Sequence, residues 1–390
     1  MHRNIRLLSW FNFCTDFVLF APVAVIYFAN VSGSFTLGMS IFSLAYLFSA
    51  VFEVPTGIVS DLVGRKKTAV FGAFFSVLCI MCYAAATSYG MLVIGALFQG
   101  LSRAFYSGNN DALLHDTLSA SGKEKEYHTY LGKTSGMFQI ALAAATFIGG
   151  LLAARSFPLV MWASVIPQIA AFIIALQFAE PPHRGKQSTN VFTHLSSSLH
   201  QFRHNYRLRM LTIASMLRFG IGESTFFLRS AFIHSLWPLW AVGISYSLSH
   251  IGGAFSFHLS GKVIDRFTPL RVLNVEILFN RFVNLTALIF PTVLSPALMS
   301  TTSLTYGAGT VAMNSLMQKE FSESQRATMS SLASFGGSIV FGMFALLLGA
   351  VADMITPRIA MIIAHLLLLL PLIFYHRVFQ HEALRKKALR

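Results

Sequence analysis

Twelve apolar runs of nearly equal length follow one another along this chain, at 7–29, 35–58, 68–87, 90–113, 134–154, 158–178, 210–235, 237–260, 272–290, 294–317, 329–352 and 358–376. Each is close to the ~20 residues a helix needs to cross a hydrocarbon core. Lipid offers a backbone no hydrogen bonds, so each run is predicted to be a helix that satisfies its own. Charged residues make up 11% of the chain, against about a quarter in an ordinary soluble domain. The fold class this predicts is an all-α, twelve-span membrane protein.

The cations fix its orientation. With the N-terminus inside, the inner segments hold Arg3, Arg6, Arg65, Lys66, Lys67, Lys123, Lys125 and most of the remaining Lys and Arg, whereas the outer loops hold only Arg155 and Arg358. That bias places both termini in the cytoplasm, in a bacterial inner membrane, and accounts for the net charge of +14 without nucleic acid. The first run is too long for a signal-peptide core and is expected to stay as the first helix. Cys14, Cys79 and Cys82 all lie within apolar runs, so no disulfide framework is implied. The redox spacing Cys79-x-x-Cys82 has no cationic neighbour and is expected to be packing.

Between the second and third runs stands Gly57-Ile-Val-Ser-Asp61-Leu-Val-Gly64-Arg65-Lys66-Lys67. Its spacing returns at Gly261, Asp265 and Arg266, since 57 + 204 = 261 and 61 + 204 = 265, an offset of about half the chain. On physical grounds Gly57 is expected to leave room for a neighbouring backbone and Gly64 to permit a tight turn, with the cations near anionic headgroups. Asp61 could hold a helix N-terminus or a cation. An ordinary basic loop would need the same cations. The stretch resembles the signature loop of the major facilitator superfamily, with Leu62 where that family usually has a cation and Thr268 in place of the second glycine of the repeat. The resemblance implies two pseudo-symmetric six-helix halves, here 1–180 and 210–390. It also implies a cytoplasmic gate at Gly57, Asp61, Gly64, Arg65, Lys66, Gly261, Asp265 and Arg266, with Asp61 helping to hold the halves together. Between the halves, 181–209 shifts to Pro, His, Ser and Arg, and Val191, Leu195, Leu199 and Phe202 recur at helical spacing. A surface amphipathic helix is predicted there.

Polar stripes mark the helices that face protein or water. The first carries Ser9, Asn12 and Asp16; the fourth carries Gln99, Arg103, Ser107 and Asn110, with Asp111 beside them, as one hydrophilic face. The seventh has Arg218, Glu223 and Arg229, the eighth His250 and His258, and the tenth Tyr306, Thr310 and Asn314, where 110 + 204 = 314. The cavity is assigned to Asn12, Asp16, Gln99, Arg103, Ser107, Asn110, Arg218, Glu223, His250, Tyr306 and Asn314. Glu53 is expected to pair with a loop cation. Ala141, Ala145, Gly149 and Ala153 form a ridge that lets helices approach closely. Arg281, with Asn280 and Asn284, polarises the ninth run, and the sequence supplies no reason for it.

Neither a phosphate-cradling loop nor His-Glu-x-x-His nor a loop Cys–His pair is present, so an enzyme is not indicated and no cofactor or metal is implied. Buried charge is costly and is usually retained for a pathway, which favours transport over an inactive sensor or scaffold. Gln99-Gly-Leu-Ser-Arg103 is similar to the superfamily's fourth-helix motif, in which an intramembrane Arg is associated with proton coupling. Gly149-Gly150 stands where resembling exporters are glycine-rich. The expectation is a monomeric, proton-coupled exporter of a small amphiphilic molecule, with membrane lipid as its surroundings. The alternative is an uptake symporter, and the arginines would suit an anionic solute if acidic neighbours do not neutralise them. Asp16, Arg103 and Glu223 are the expected coupling residues. Position 16 + 204 is 220, so Glu223 lies about one turn from the mate of Asp16. A lone acid in an apolar run loses hydration while an adjacent Arg supports its charge, so a cavity that wets and dries can load and release a proton.

Overall fold

The computed structural model describes residues 2–107, 109–120, 122–123, 126–181, 202–321 and 326–388, with the side chains of 2, 54, 61, 128–129, 132–136, 326–328 and 381–388 outside the description. The described elements are helices, with no strand among them. In order they form α1 (His2–Asp16), α2 (Ala24–Ser32), α3 (Phe35–Val63), α4 (Arg65–Ala84), α5 (Tyr89–Tyr106), α6 (Asn109–Ser119), α7 (Tyr127–Ala153), α8 (Phe157–Ala163) and α9 (Val165–Leu176). There follow α10 (Tyr206–Leu236), α11 (Leu239–Phe267), α12 (Pro269–Ile289), α13 (Ser295–Ser300), α14 (Ser303–Glu320), α15 (Arg326–Met354), α16 (Pro357–Leu367) and α17 (Leu370–Ala388). Twelve spans account for them, because the first, fourth, sixth, tenth and twelfth are each built from two helices. Seven spans are long and apolar enough by composition alone, among them the third, sixth, ninth and twelfth. The fourth, seventh, eighth and tenth fall short because they carry the polar stripes.

Two compact units result: Met1–Lys186 with Ile233–Ile251, and Gln187–Phe232 with Gly252–Arg390. In the first, Phe11 is fully buried, edge-on to Tyr106 (5.4 Å) and Phe178 (5.5 Å), above Ala69, Ala73, Ala171 and Ala175. The second centres on Leu211, Ala214, Leu273, Ala312 and Val378. Lipid is as apolar as these side chains, so small residues and close packing hold the helices where hydrophobic transfer would not. The linker helix expected at Val191, Leu195 and Leu199 lies outside the described residues; Phe202 packs against the second core.

The breaks in the spans have local causes. Proline lacks an N–H and its ring obstructs the carbonyl four residues back, here that of Val18, so the helix that stops at Asp16 is not resumed through Pro22 and the chain turns through a 3-10 segment, Ala21–Val23. The α1 carbonyls left open are met from α9, where Gln168 Nε2 donates to Cys14 O (3.2 Å) and Thr15 O (3.3 Å). Gly149 of α7 admits the unwound strand, since a Cβ there would lie 1.7 Å from Leu19 O. The fourth span also differs from expectation. Its stripe is not one continuous face: α5 stops at Tyr106 with Ser107 at ψ 115°, and α6 restarts at Asn109. Asn109 turns instead to Arg65 O (3.1 Å) and Ser60 Oγ (3.4 Å).

The signature turn shows why its second glycine is there. Gly64 has φ 93° and ψ 166°, and a Cβ on it would sit 2.6 Å from Glu180 Oε1. Glu180 caps the start of α4, accepting from the backbone N–H of Arg65 (2.6 Å) and Lys66 (2.9 Å), where a carboxylate also suits the helix dipole. Gly57 and Gly261 do not behave as expected, because a Cβ at either meets nothing within 4 Å, so neither admits a neighbouring backbone. Nor does Glu53 take a loop cation among its described contacts; it accepts from Ser107 Oγ at 3.5 Å.

The repeat keeps this backbone even where the residue has changed. Gly64 N–H donates to Ser60 O and Gly64 O accepts from Thr68; 204 residues on, Thr268 N–H donates to Ile264 O and Thr268 O accepts from Val272. Thr268 consequently holds φ 64° and ψ 145°, next to a region that is almost restricted to glycine. Thr268→Gly is expected to stabilise the protein by about 1 kcal/mol, as ~1–3 kcal/mol of strain is relieved against ~0.5–1 kcal/mol of added chain entropy. Thermal unfolding in detergent checks this, and an unfolding temperature at or below that of the parent would refute it.

Candidate functional site

The first unit encloses a cavity of about 560 Å³ at the break in the first span. Into it open Asn12 and Asp16 of α1, Ser76 of α4, Gln99, Ser102, Arg103 and Tyr106 of α5, Asn110 and Asp111 of α6, Phe138 of α7 and Gln168 of α9. Five of the predicted residues, Asn12, Asp16, Gln99, Arg103 and Asn110, are thus brought together. Ser107 is not among them, having turned to Glu53 at the end of α5.

Amides hold one another in place around the wall. Asn110 Nδ2 donates to Asn12 Oδ1 (3.3 Å), Tyr83 OH to Gln99 Oε1 (2.9 Å) and Ser76 Oγ to Gln168 Oε1 (2.7 Å). Asn110 Oδ1 is buried without a partner among the described residues and remains able to accept. Asp16 is the last residue of α1, where the helix dipole is negative and opposes a carboxylate's charge. The cation acting on it is Arg103, whose guanidinium lies 4.1 Å over the ring of Tyr46. Among the described residues no ion pair joins the two. The Asp16 charge is therefore opposed by the helix end and supported by an arginine that is anchored elsewhere.

The second unit gathers a different group. Arg218 Nη2 pairs with Glu276 Oε1 at 3.3 Å, reaches Thr310 Oγ1 at 3.4 Å and lies 5.6 Å over the Tyr306 ring. Glu276 Oε1 also accepts from Asn280 Nδ2 at 2.8 Å. A Cβ on Gly309 would come within 3.0 Å of both partners, so that glycine lets α14 close over the pair. Glu223 is half-buried and acts electrostatically on Tyr306, and Asn314 is exposed. Arg229 is buried and donates to Pro296 O and Ser300 Oγ (3.0 Å). His250 is half-buried, within the residues grouped with the first unit.

Of the gate residues, Arg65 donates to Ser60 Oγ (2.8 Å) and meets Asp116 Oδ2 (3.5 Å). Asp265 and Arg266 are exposed, and the Asp61 side chain lies outside the description. Sequence reasoning missed Gln168, Ser76, Tyr106, Asp116 and Glu276. Glu276 could have been found, because Glu276, Asn280 and Asn284 recur every four residues on one face of an otherwise apolar run.

The family profile described as Major Facilitator Superfamily matches residues 7–345. The chain belongs to the major facilitator superfamily. As a member it is a membrane transporter and not an enzyme. A mutant of the nucleoside transporter NupG superposes with a TM-score of 0.82 at 16% identity over 96% of this chain and 99% of that one. A bacterial homologue of the human lysosomal transporter Spinster, inward-facing and unoccupied, gives 0.76 at 15% identity over 96% of each chain. A D-xylose-proton symporter gives 0.74 at 13% identity, again over 96% of each. At these identities the likeness shows the fold alone. In sequence, an uncharacterized transporter of Buchnera aphidicola is 24% identical over 65% of this chain, and an MFS-type transporter of Methanocaldococcus jannaschii 29% identical over 34%. The matches span 62% and 33% of those proteins' own lengths.

Proposed function

We propose that this superfamily member is a proton-coupled transporter working by alternating access, with the proton carried on Asp16 and a small, neutral, polar solute held by the amide-lined cavity. The observation that carries the reading is the place of Asp16: a carboxylate at the negative end of a broken helix, open to a cavity it shares with Arg103 and Asp111. When the site dries, the helix end and the loss of water favour the protonated acid; when it wets, Arg103 and water favour the carboxylate. Arg218 and Arg229 give little support to an anionic solute, because Arg218 is neutralised by Glu276 and Arg229 is buried against Pro296 and Ser300, which leaves that reading to Arg103.

Export is the direction suggested by the fourth-helix stretch. Uptake by symport is the second reading, favoured because Gly149 and Gly150 have packing tasks, against Leu19 O and the Trp240–Gly243 backbone, and so lend export no separate support. We assign the two halves to 1–180 and 210–390, the signature turns to the cytoplasmic gate, and a monomer with cytoplasmic termini to the bacterial inner membrane. The test is a panel of sugars, nucleosides and amphiphilic drugs offered to proteoliposomes under an imposed pH gradient. Proton movement with a polar solute is expected; transport of amphiphiles alone would refute the assigned cargo, and solute flux without protons would refute the coupling. Cysteines at Ser34 and Ser88 should react from outside, and ones at Ser121 and Ser188 should not.

A further inference from the structure

Behind the Arg218–Glu276 pair, α12 and α16 carry buried polar groups that the proposed transport cycle does not use. His365 on α16 is 4% exposed, and both of its ring nitrogens lack a hydrogen-bond partner among the described residues. Arg281 on α12 is half-buried as a residue, and its Nε is buried and without a partner among the described residues. Arg358 at the start of α16 donates to Leu288 O (2.6 Å) and Ile289 O (2.9 Å) at the end of α12, so the two helices run antiparallel; Arg281 (288 − 7) and His365 (358 + 7) stand equally far in from that contact, at one depth within the second unit.

Among the described residues Arg281 also lacks a carboxylate of its own. Glu276 is the anion acting on it, yet Glu276 Oε1 is taken by Arg218 and Asn280, and Oε2 has no donor among the described residues, so Arg281 does not reach it. Two arginines therefore share one carboxylate. Arg281 stands 12 residues from Pro269 and 8 from Ile289 along α12, about 18 Å and 12 Å from the helix ends at 1.5 Å per residue. That depth lies inside the hydrocarbon layer, beyond easy reach of headgroups. A guanidinium there without a matching negative charge is costly, and a buried imidazole N–H without an acceptor adds to the cost.

We propose that Arg281 and His365 form a binding site for a small inorganic anion of chloride's size, separate from the solute cavity. The anion supplies the missing counter-charge to Arg281 and an acceptor for the His365 N–H, tying α12 to α16. This site does not depend on the proton-carrying role of Asp16.

The experiment uses the full chain, purified in detergent and equilibrated in gluconate, with radiolabelled chloride as the probe. Saturable binding that bromide displaces is expected, together with a higher unfolding temperature in chloride than in gluconate at equal ionic strength. Arg281→Gln should weaken binding by at least roughly tenfold, the scale of losing a charged partner, while Arg281→Lys should restore part of it and the outer-loop Arg155→Gln should leave it unchanged. If Arg281→Gln does not elute as folded protein, His365→Phe, which keeps the ring volume and removes both nitrogens, decides the matter by the same loss. No saturable binding to the parent protein, or equal binding by the variants that fold, would overturn the site.

Discussion

Asp16→Asn is expected to abolish pH-driven transport while solute exchange at equal pH on both sides continues. The carboxylate ends α1, faces the cavity and is acted on by Arg103, so the substitution removes the proton site and keeps a hydrogen-bonding side chain of the same shape. Driven flux should fall by about two orders of magnitude, the scale of losing a positioned proton-transfer group. Exchange needs only the alternation of the loaded carrier, which an amide permits. Glu223→Gln serves as the companion variant, because Glu223 is the half-buried acid near the repeat position of Asp16. If both variants still drive solute against its gradient with normal pH dependence, neither residue carries the proton.

Gly149→Ala is expected to be the most destabilising single methyl that can be added to the first unit. Its Cβ would fall 1.7 Å from Leu19 O and 2.7 Å from Leu19 C. Overpacking in a core costs about 1–3 kcal/mol when side chains can adjust; here the obstacle is backbone at the break of the first span, and no rotamer relieves it. A loss of roughly 3 kcal/mol or more follows, with the Asp16 cavity displaced because its floor is that same broken segment. Gly57→Ala is the control. Its Cβ meets nothing within 4 Å, and alanine gains roughly 0.5–1 kcal/mol over glycine inside a helix. Unfolding temperatures in detergent should therefore move in opposite directions for the two variants. A Gly149→Ala protein as stable as its parent would show that the first span does not need its break against α7.

The sequence by itself determined whatever is summed over many residues or carried by repetition. Runs of apolar residues set the number of spans, because a membrane helix satisfies its own backbone and reports its length directly in hydropathy. The offset of 204 residues carried the repeat of the signature turn, but not the strained backbone at Thr268, whose symmetry mate is Gly64. The polar stripes of the first and fourth spans likewise named Asn12, Asp16, Gln99, Arg103 and Asn110, since a polar side chain in hydrocarbon must turn toward protein or water. The partnerships came from the packing. Glu180 caps a helix 115 residues earlier in the chain, Glu276 pairs with Arg218 across 58 residues, and Gln168 covers carbonyls more than 150 residues away. Periodicity says which face of a helix a residue occupies but not which helix meets that face, and the meeting depends on where Pro22 breaks the first span and on which glycines leave space. Gly57 and Gly64 sit seven residues apart in one motif, yet only Gly64 faces a neighbour, because a contact at 2.6 Å is set by where another helix ends and not by the residues beside the glycine.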